Sequence, residues 1–349
     1  MNGHYKRVQD LQALLKQNEI SGIVLARPLE IYFLTGYFMD GVFLLITQEE
    51  AYGFMPKMLF DDFHAKVPFI NSEFSDNPRK DIVAKKDALK LKKAVFEPET
   101  ENYPRGKFWK ENGFEEHSGL TAGLRLCKEG EEIEILRKSC KIAAKAFEQL
   151  VPTIKTGETE IEVSNRLDNL MRAMGAKGPS FDLIVAFGEN GALPHHVTSE
   201  RKLKDNEPIL IDFGCVYNRY CSDITRTFFH GVPGEEYKKV YSIVQKSHDE
   251  AIKALKPGLS VKNTDKICRD IISDEGYGQY FIHSTGHGVG LEIHEAPAVS
   301  QRADEKQLLK KGMSITIEPG IYLLGKFGVR IEDTVLITED GCEVLTSLD

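Results

Sequence analysis

Paired cysteines are missing from this chain. Its six cysteines (Cys127, Cys140, Cys215, Cys221, Cys268 and Cys342) are scattered, with no C-x-x-C spacing. That speaks against a disulfide framework and fits a reducing compartment. No apolar run approaches the ~20 residues of a membrane span. The opening stretch MNGHYKRVQDLQALL is charged and helix-patterned, without the apolar centre of a signal peptide. No lysine or arginine run stands out, and the net charge is −8 with a pI near 5.8. Nucleic acid and anionic membrane surfaces are therefore not expected partners. Low-complexity segments and short tandem repeats are also missing. Together these absences predict a soluble, cytoplasmic globular protein.

What is present is ordinary in bulk: 349 residues, 41% hydrophobic and 28% charged, a length that suggests about two domains. Residues 5–18 place Val8, Leu11, Leu14 and Leu15 on one helical face. Ser21–Ala26, Gly41–Thr47 and Lys93–Glu97 read as strands, and Ala84–Lys93 as a basic helix. This βα-alternating module carries no dense polar constellation and ends near Ser118–Arg125, where small residues interrupt the periodicity. Helices are expected over Glu129–Leu150, over Thr159–Met174 with Thr159 as N-cap, over Glu235–Leu255 and over Val261–Glu275. Strands fill the intervals. Two helices, strands, two helices, strands hint at duplication of a helix-pair-plus-sheet unit, giving an α+β second domain.

The chemistry centres on Ile209–Phe229 (ILIDFGCVYNRYCSDITRTFF), read as a hairpin with its turn at Tyr217–Tyr220. Each arm carries one aspartate, Asp212 and Asp223, among apolar neighbours. A carboxylate bound for a core costs several kcal/mol unless it is paired, hydrogen-bonded or bound to a cation. Two of them on facing strands repel, and a shared cation relieves both. Taken alone, the hairpin reads equally well as a pair of solvated edge-strand aspartates.

Five of the ten histidines fall in two places, His195 and His196 in LPHHV and His283, His287 and His294 in FIHSTGHGVGLEIHE. The glycines between His283 and His294 rule against a helix and describe a backbone that lets imidazoles approach something closely. Glu318 ends the β-rich run Met313–Ile317, and Glu332 lies in the strand-like Gly328–Val335, whose alternation puts Arg330 and Glu332 on one face. The pooled candidates are Asp212, Asp223, His287, Glu318 and Glu332, four carboxylates and hence −4, which balances two divalent cations. With no thiolate among them, hard or borderline ions such as Mn²⁺, Co²⁺ or Fe²⁺ fit better than a soft zinc or iron–sulfur site. Two metals ~3.5–4 Å apart lower the pKa of a shared water and clamp both oxygens of a tetrahedral intermediate.

The order of these segments, Asp212-Phe213-Gly214, Asp223-Ile224-Thr225-Arg226, His283–Gly290 with His294-Glu295, Glu318-Pro319-Gly320 and Arg330-Ile331-Glu332, resembles the pita-bread metallopeptidases, the group of aminopeptidase P, prolidase and methionine aminopeptidase. The resemblance covers most of 125–349. Tyr32–Tyr37 (YFLTGY) extends it to the smaller domain of the aminopeptidase P and prolidase branch. It implies an α/β creatinase-like N-terminal domain (1–123) and an α+β pita-bread catalytic domain (124–349).

Carried over by the same resemblance, Asp212 chelates one metal, Asp223 and Glu332 bridge both, and His287 and Glu318 complete the other shell. The ions would be Mn²⁺ or Co²⁺, with Fe²⁺ or Zn²⁺ as further options. His195, His283, His294 and Arg330 become outer or substrate-facing residues. Glu318 would shuttle a proton to the leaving proline nitrogen, His294 would stabilise the oxyanion, and Arg330 would orient Glu332 from behind. The implied substrate is a peptide with proline in second place, and the implied assembly is a homodimer in which one chain's N-terminal domain approaches the other's active site. Between the two activities of this branch, the sequence leans to an Xaa-Pro aminopeptidase. Prolidases often read H-E-x-P-R after the third histidine, supplying a cation for the dipeptide carboxylate, and here Ala298 stands in the arginine's place. The alternative is an Xaa-Pro dipeptidase, and a remoter one is a metal-free binding protein on the same fold.

Overall fold

The computed structural model describes residues 3–348, and the chain divides into compact units up to Arg125 and from Leu126 onward. In the first unit, strands β1 (Gly22–Leu25), β2 (Phe43–Thr47), β3 (Ala51–Met55), β4 (Asn71–Phe74), β5 (Ala94–Phe96) and β6 (Glu115–Glu116) form one sheet in the order β4-β3-β2-β1-β5-β6. Helices α1 (Gly3–Gln17), α2 (Pro28–Thr35), α3 (Lys57–Lys66), α4 (Pro78–Ala88), α5 (Tyr103–Glu111) and α6 (Leu120–Arg125) connect and flank them. The basic helix lies several residues earlier than its composition suggests, because Asn77 caps it and Pro78 takes its first turn. The small-residue stretch 118–125 is not a loose boundary. The buried Glu97 carboxylate accepts from Thr121 N–H at 2.9 Å and from the Thr121 hydroxyl, and so caps α6. A division after residue 123 would cut that helix; the units part after Arg125.

The second unit opens with α7 (Glu131–Leu150) and α8 (Glu160–Ala173). Thr159 and Glu162 form a reciprocal capping box at the start of α8. Next come β7 (Gly178–Pro179), β8 (Ile184–Phe187), β9 (Glu207–Phe213), β10 (Cys215–Tyr217), β11 (Tyr220–Cys221) and β12 (Ile224–His230). The helix pair packs its apolar faces onto β8, β9 and β12 through Phe147, Leu167, Met171, Val185, Ile209 and Ile211. A second helix pair, α9 (Glu235–Ala254) and α10 (Val261–Asp274), precedes β13 (Gly286–Gly288), β14 (Glu295–Val299), β15 (Ser314–Ile317), β16 (Gly320–Leu323), β17 (Phe327–Arg330), β18 (Asp333–Ile337) and β19 (Cys342–Val344). These helices cover the antiparallel order β14-β13-β15-β18-β19 and the pair β16-β17. The result is the curled antiparallel sheet of the pita-bread fold. All six cysteines are free of disulfides, and among the described residues no helix is long and apolar enough to cross a membrane.

The central hairpin is two ladders rather than one. β9 pairs β12 from Glu207↔His230 to Phe213↔Ile224, and β10 pairs β11 beyond a break at Gly214 and Ser222-Asp223. Asp212 therefore faces Thr225, while Asp223 sits in the bend. Gly214 makes the bend close: a β-carbon there would lie 1.8 Å from the Ser222 carbonyl oxygen and 2.4 Å from Ser180 Oγ. Gly214→Ala should consequently destabilise the protein by about 1–3 kcal/mol through overpacking against backbone. A lowered urea midpoint at unchanged m-value would register it, and a midpoint equal to wild type would refute the close-contact reading.

Candidate active site

Five separate chain segments deliver the polar side chains. Asp212 comes from the end of β9 and Asp223 from the bend before β12, where Thr334 Oγ1 donates to its carbonyl at 2.7 Å. His287 is the centre of β13. Its neighbour Gly286 lets the strand lie against β15 so closely that a β-carbon would fall 1.9 Å from the Thr316 carbonyl oxygen. Glu318 follows β15 and is pinned by its N–H to Thr285 O at 2.7 Å. Glu332 lies between β17 and β18, its N–H donating to Thr225 O at 3.1 Å. The run 328–335 is thus two strands in two sheets, and the break at Ile331-Glu332 turns the carboxylate inward. All five line one cleft of about 510 Å³, together with His195, His283, His294 and Arg330.

At the floor, Asp223, His287 and Glu332 each present a ligand atom within 4.8 Å of the others. His287 Nε2 stands 3.5 Å from both Asp223 Oδ2 and Glu318 Oε1, beyond a good hydrogen bond. The other ring nitrogen, Nδ1, lies 3.0 Å from the Gly288 carbonyl and can only donate to it, so Nε2 offers a lone pair to the same point as the carboxylates. Burial, then the charge of Glu332, holds the Asp223 and Glu318 carboxyls well above the usual range. Burial, then Asp212, pushes Glu332 up to about 8, and burial pushes His287 down to about 4. Asp212 Oδ1 is buried with no hydrogen-bond partner among the described residues. Converging lone pairs, mutually repelling carboxylates and an unsatisfied oxygen are what a cation would resolve, and an all-oxygen-and-imidazole donor set fits a hard or borderline divalent ion.

Arg330 does not touch Glu332. Its Nη2 donates to Asp212 Oδ2 at 2.7 Å, its Nη1 to the Tyr322 hydroxyl at 2.8 Å and its Nε to Thr225 Oγ1 at 3.0 Å. Thr225 then donates to Glu332 Oε2 at 2.6 Å, so the guanidinium reaches that carboxylate through a hydroxyl. The sequence reading placed both side chains on one face but overlooked Thr225, although it lies inside Asp223–Arg226. Tyr322, buried in β16, was missed as well; only its place two residues after Gly320 signalled it. Its hydroxyl accepts from Arg330 and donates to His283 Nε2 at 2.8 Å, while His283 Nδ1 lies 2.7 Å from Ser284 O. Burial, then the Arg330 charge, pushes His283 down to about 4, which keeps it neutral. His294 is exposed and meets His287 edge-on, centroids 4.4 Å apart. His195 is exposed on the loop that follows β8.

A cleft floored by convergent carboxylates and an imidazole defines a metal-dependent hydrolase. The chain belongs to metallopeptidase family M24, whose profile matches residues 134–339, and residues 7–125 match the creatinase/prolidase N-terminal domain. It is 39% identical to the Xaa-Pro dipeptidase of Pyrococcus furiosus, over 99% of this chain and 98% of that one. Among solved structures it resembles the Xaa-Pro dipeptidase from Bacillus anthracis (TM-score 0.95, 36% identity, 99% and 98% of the two chains). It also resembles the X-Pro aminopeptidase from Thermotoga maritima (TM-score 0.86, 32% identity, 95% and 96%).

Thr225→Val keeps the shape of the side chain and removes the hydroxyl that joins Arg330 to Glu332. Leaving both buried ions one partner short should cost about 1–3 kcal/mol of stability. Affinity for an added divalent ion should fall about 10–100-fold, as for other outer partners of metal ligands. Calorimetric titration with Mn²⁺ checks this; wild-type affinity in the variant would exclude the relay.

Proposed function

We propose that the protein is a dinuclear exopeptidase cleaving Xaa-Pro bonds, acting chiefly as an Xaa-Pro dipeptidase. The observation that carries this is the gathering of all five ligand-type residues and three further histidines in one cleft of a chain that matches an Xaa-Pro dipeptidase end to end. The sequence alone leaned to the aminopeptidase, and the full-length likeness to named dipeptidases moves the reading to its alternative. Asp212, Asp223, His287, Glu318 and Glu332 would hold two divalent ions, Mn²⁺ or Co²⁺ before Fe²⁺ or Zn²⁺. Such ions lower the pKa of water and polarise the scissile carbonyl.

The chain's own groups supply the rest. A Glu318 carboxylate oxygen takes a proton from the water whose oxygen joins the scissile carbonyl carbon, and passes it to the proline nitrogen as the C–N bond breaks. His294, at the cleft surface beside His287, donates to the carbonyl oxygen as that atom gains charge. His283, kept neutral and oriented by Tyr322, walls the cleft with His195 around the proline ring. Arg330 holds Asp212 directly and Glu332 through Thr225.

One observation favours the aminopeptidase as a second reading. Ala298 lines the cleft, and among the described residues that line it the only lysine or arginine is Arg330, already tied to Asp212. The assay is release of the first residue from Xaa-Pro and from Xaa-Pro-Yaa-Zaa by enzyme loaded with Mn²⁺ or Co²⁺. Faster turnover of the dipeptide is expected, with activity lost to chelator and restored by either ion. Preference for the tetrapeptide would give the aminopeptidase, and cleavage of neither would sink the Xaa-Pro reading.

We further propose a homodimer in a reducing cytoplasm, in which the second chain would supply the cation for the dipeptide carboxylate. Light scattering should then report twice the 39.3 kDa chain mass at micromolar concentration. A single 39.3 kDa species would count against it.

A further inference from the structure

His195 is exposed, yet the loop carrying it is tethered from both sides by hydrogen bonds to one buried side chain. The tether is Glu160, the first residue of α8 and completely buried. Its Oε1 accepts from the Phe187 N–H at 2.8 Å and from Asn190 Nδ2 at 2.9 Å. Its Oε2 accepts from His196 Nε2 at 2.8 Å, from the Ser199 N–H at 2.9 Å and from Ser199 Oγ at 2.7 Å. Five donors converge on a group with about four lone-pair sites. They come from both sides of His195 in sequence, and one belongs to the adjacent imidazole.

The backbone closes the clamp in the opposite sense. The Glu160 N–H donates to Arg201 O at 3.1 Å and the Ile161 N–H to Ser199 O at 3.2 Å, so the free N–H groups of the helix's first turn also hold the loop. Thr198 Oγ1 accepts from the Val185 N–H at 2.9 Å and donates to Leu183 O at 2.7 Å, fastening the same loop to β8. Burial acts to raise the Glu160 pKa, but the bonds from Ser199, His196, Phe187 and Asn190 outweigh it and hold the carboxyl below its usual value. The group is thus an anion that can only accept, and His196 must carry its proton on Nε2.

We propose that Glu160 is a positioning residue for the peptidase reaction, fixing the 187–199 loop through five charge-assisted bonds so that His195 meets the substrate in one geometry. The inference rests on the reading of His195 as a substrate-facing residue. Glu160 is not among the residues that line the cleft, so its effect passes through the loop.

A double-mutant cycle on the metal-loaded enzyme, with an Xaa-Pro dipeptide, tests it. Glu160→Gln keeps size and burial but turns an NH₂ toward donors, so the loop loses its anchor on at least one side. Displacing a positioned group by about 1 Å costs up to about 100-fold. Glu160→Gln and His195→Ala should each lower kcat/KM by about 10–100-fold, with bound metal unchanged by elemental analysis. The combined variant should be no slower than His195→Ala alone. Multiplicative losses in the combined variant would overturn the proposal and make Glu160 a scaffold residue only. A His195→Ala enzyme as active as wild type would instead remove the reading of His195, and the proposal with it. Should Glu160→Gln fail to fold, Ser199→Ala deletes a single donor. It should give a smaller loss, again absent in the His195→Ala background; a loss that persists there refutes the positioning role.

Discussion

Mutual repulsion among buried acids is the constraint on which the second unit is built. Asp223, Glu318 and Glu332 lie within a few ångströms of His287 or of one another, and each is pushed toward its protonated form by burial and by its neighbours. Such a cluster survives in a protein interior only where positive charge is brought to it. The chain supplies part of that charge itself, as the Arg330 guanidinium on Asp212, and the proposed divalent ions would supply the remainder. The surrounding architecture follows from this. Strands β9, β15 and β18 are apolar on the faces that meet the helix pairs, and the ladders end or shift register where an acid or imidazole has to turn inward, as at His287-Gly288 of β13.

Hydroxyls distribute the strain of this arrangement. Thr225 mediates between Arg330 and Glu332, Thr316 touches both the His287 N–H and Glu318, and Thr334 holds the Asp223 carbonyl. Each is fully buried, and each stands where an aliphatic side chain of similar volume would leave a charge or a main-chain group unpaired. Threonine suits the role because it keeps the β-branched shape favoured in strands while adding one hydroxyl.

That Asp212, Asp223, His287, Glu318 and Glu332 belong together was legible in the sequence, because carboxylates among apolar residues have few uses, and glycine-spaced histidines fewer; the structure gathers all five in one cleft. The four long helices of the second unit were legible from their caps and periodicity, Thr159 and Glu162 above all. Three kinds of feature were not. The breaks at Gly214 and at Ile331-Glu332 depend on contacts with distant strands, so local alternation ran straight through them. The partner of Arg330 lies 118 residues away, and no spacing rule reaches that far. Elements β3, α3, β4 and α5 of the first unit are short or weakly patterned, and α6 is a helix because Glu97 caps it from another part of the chain. Glu160 drew no attention in the sequence, where only the neighbouring Thr159 was singled out as a cap, and its five donors stay invisible until the loop is folded over it.

The distance along the chain between Asp212 and Glu332 has a further meaning. The cleft residues proposed as ligands are drawn from β9, from the bend after β11, from β13 and from the turns after β15 and β17, and they come together only once both helix-pair halves of the second unit have formed. Ions held by this set would bind the finished structure and nothing earlier, so their binding free energy would add to the free energy of folding. On the proposed ligand set, the supply of metal would set the lifetime of the molecule as well as its turnover, and a shortage would be met first as proteolysis or aggregation of the opened chain.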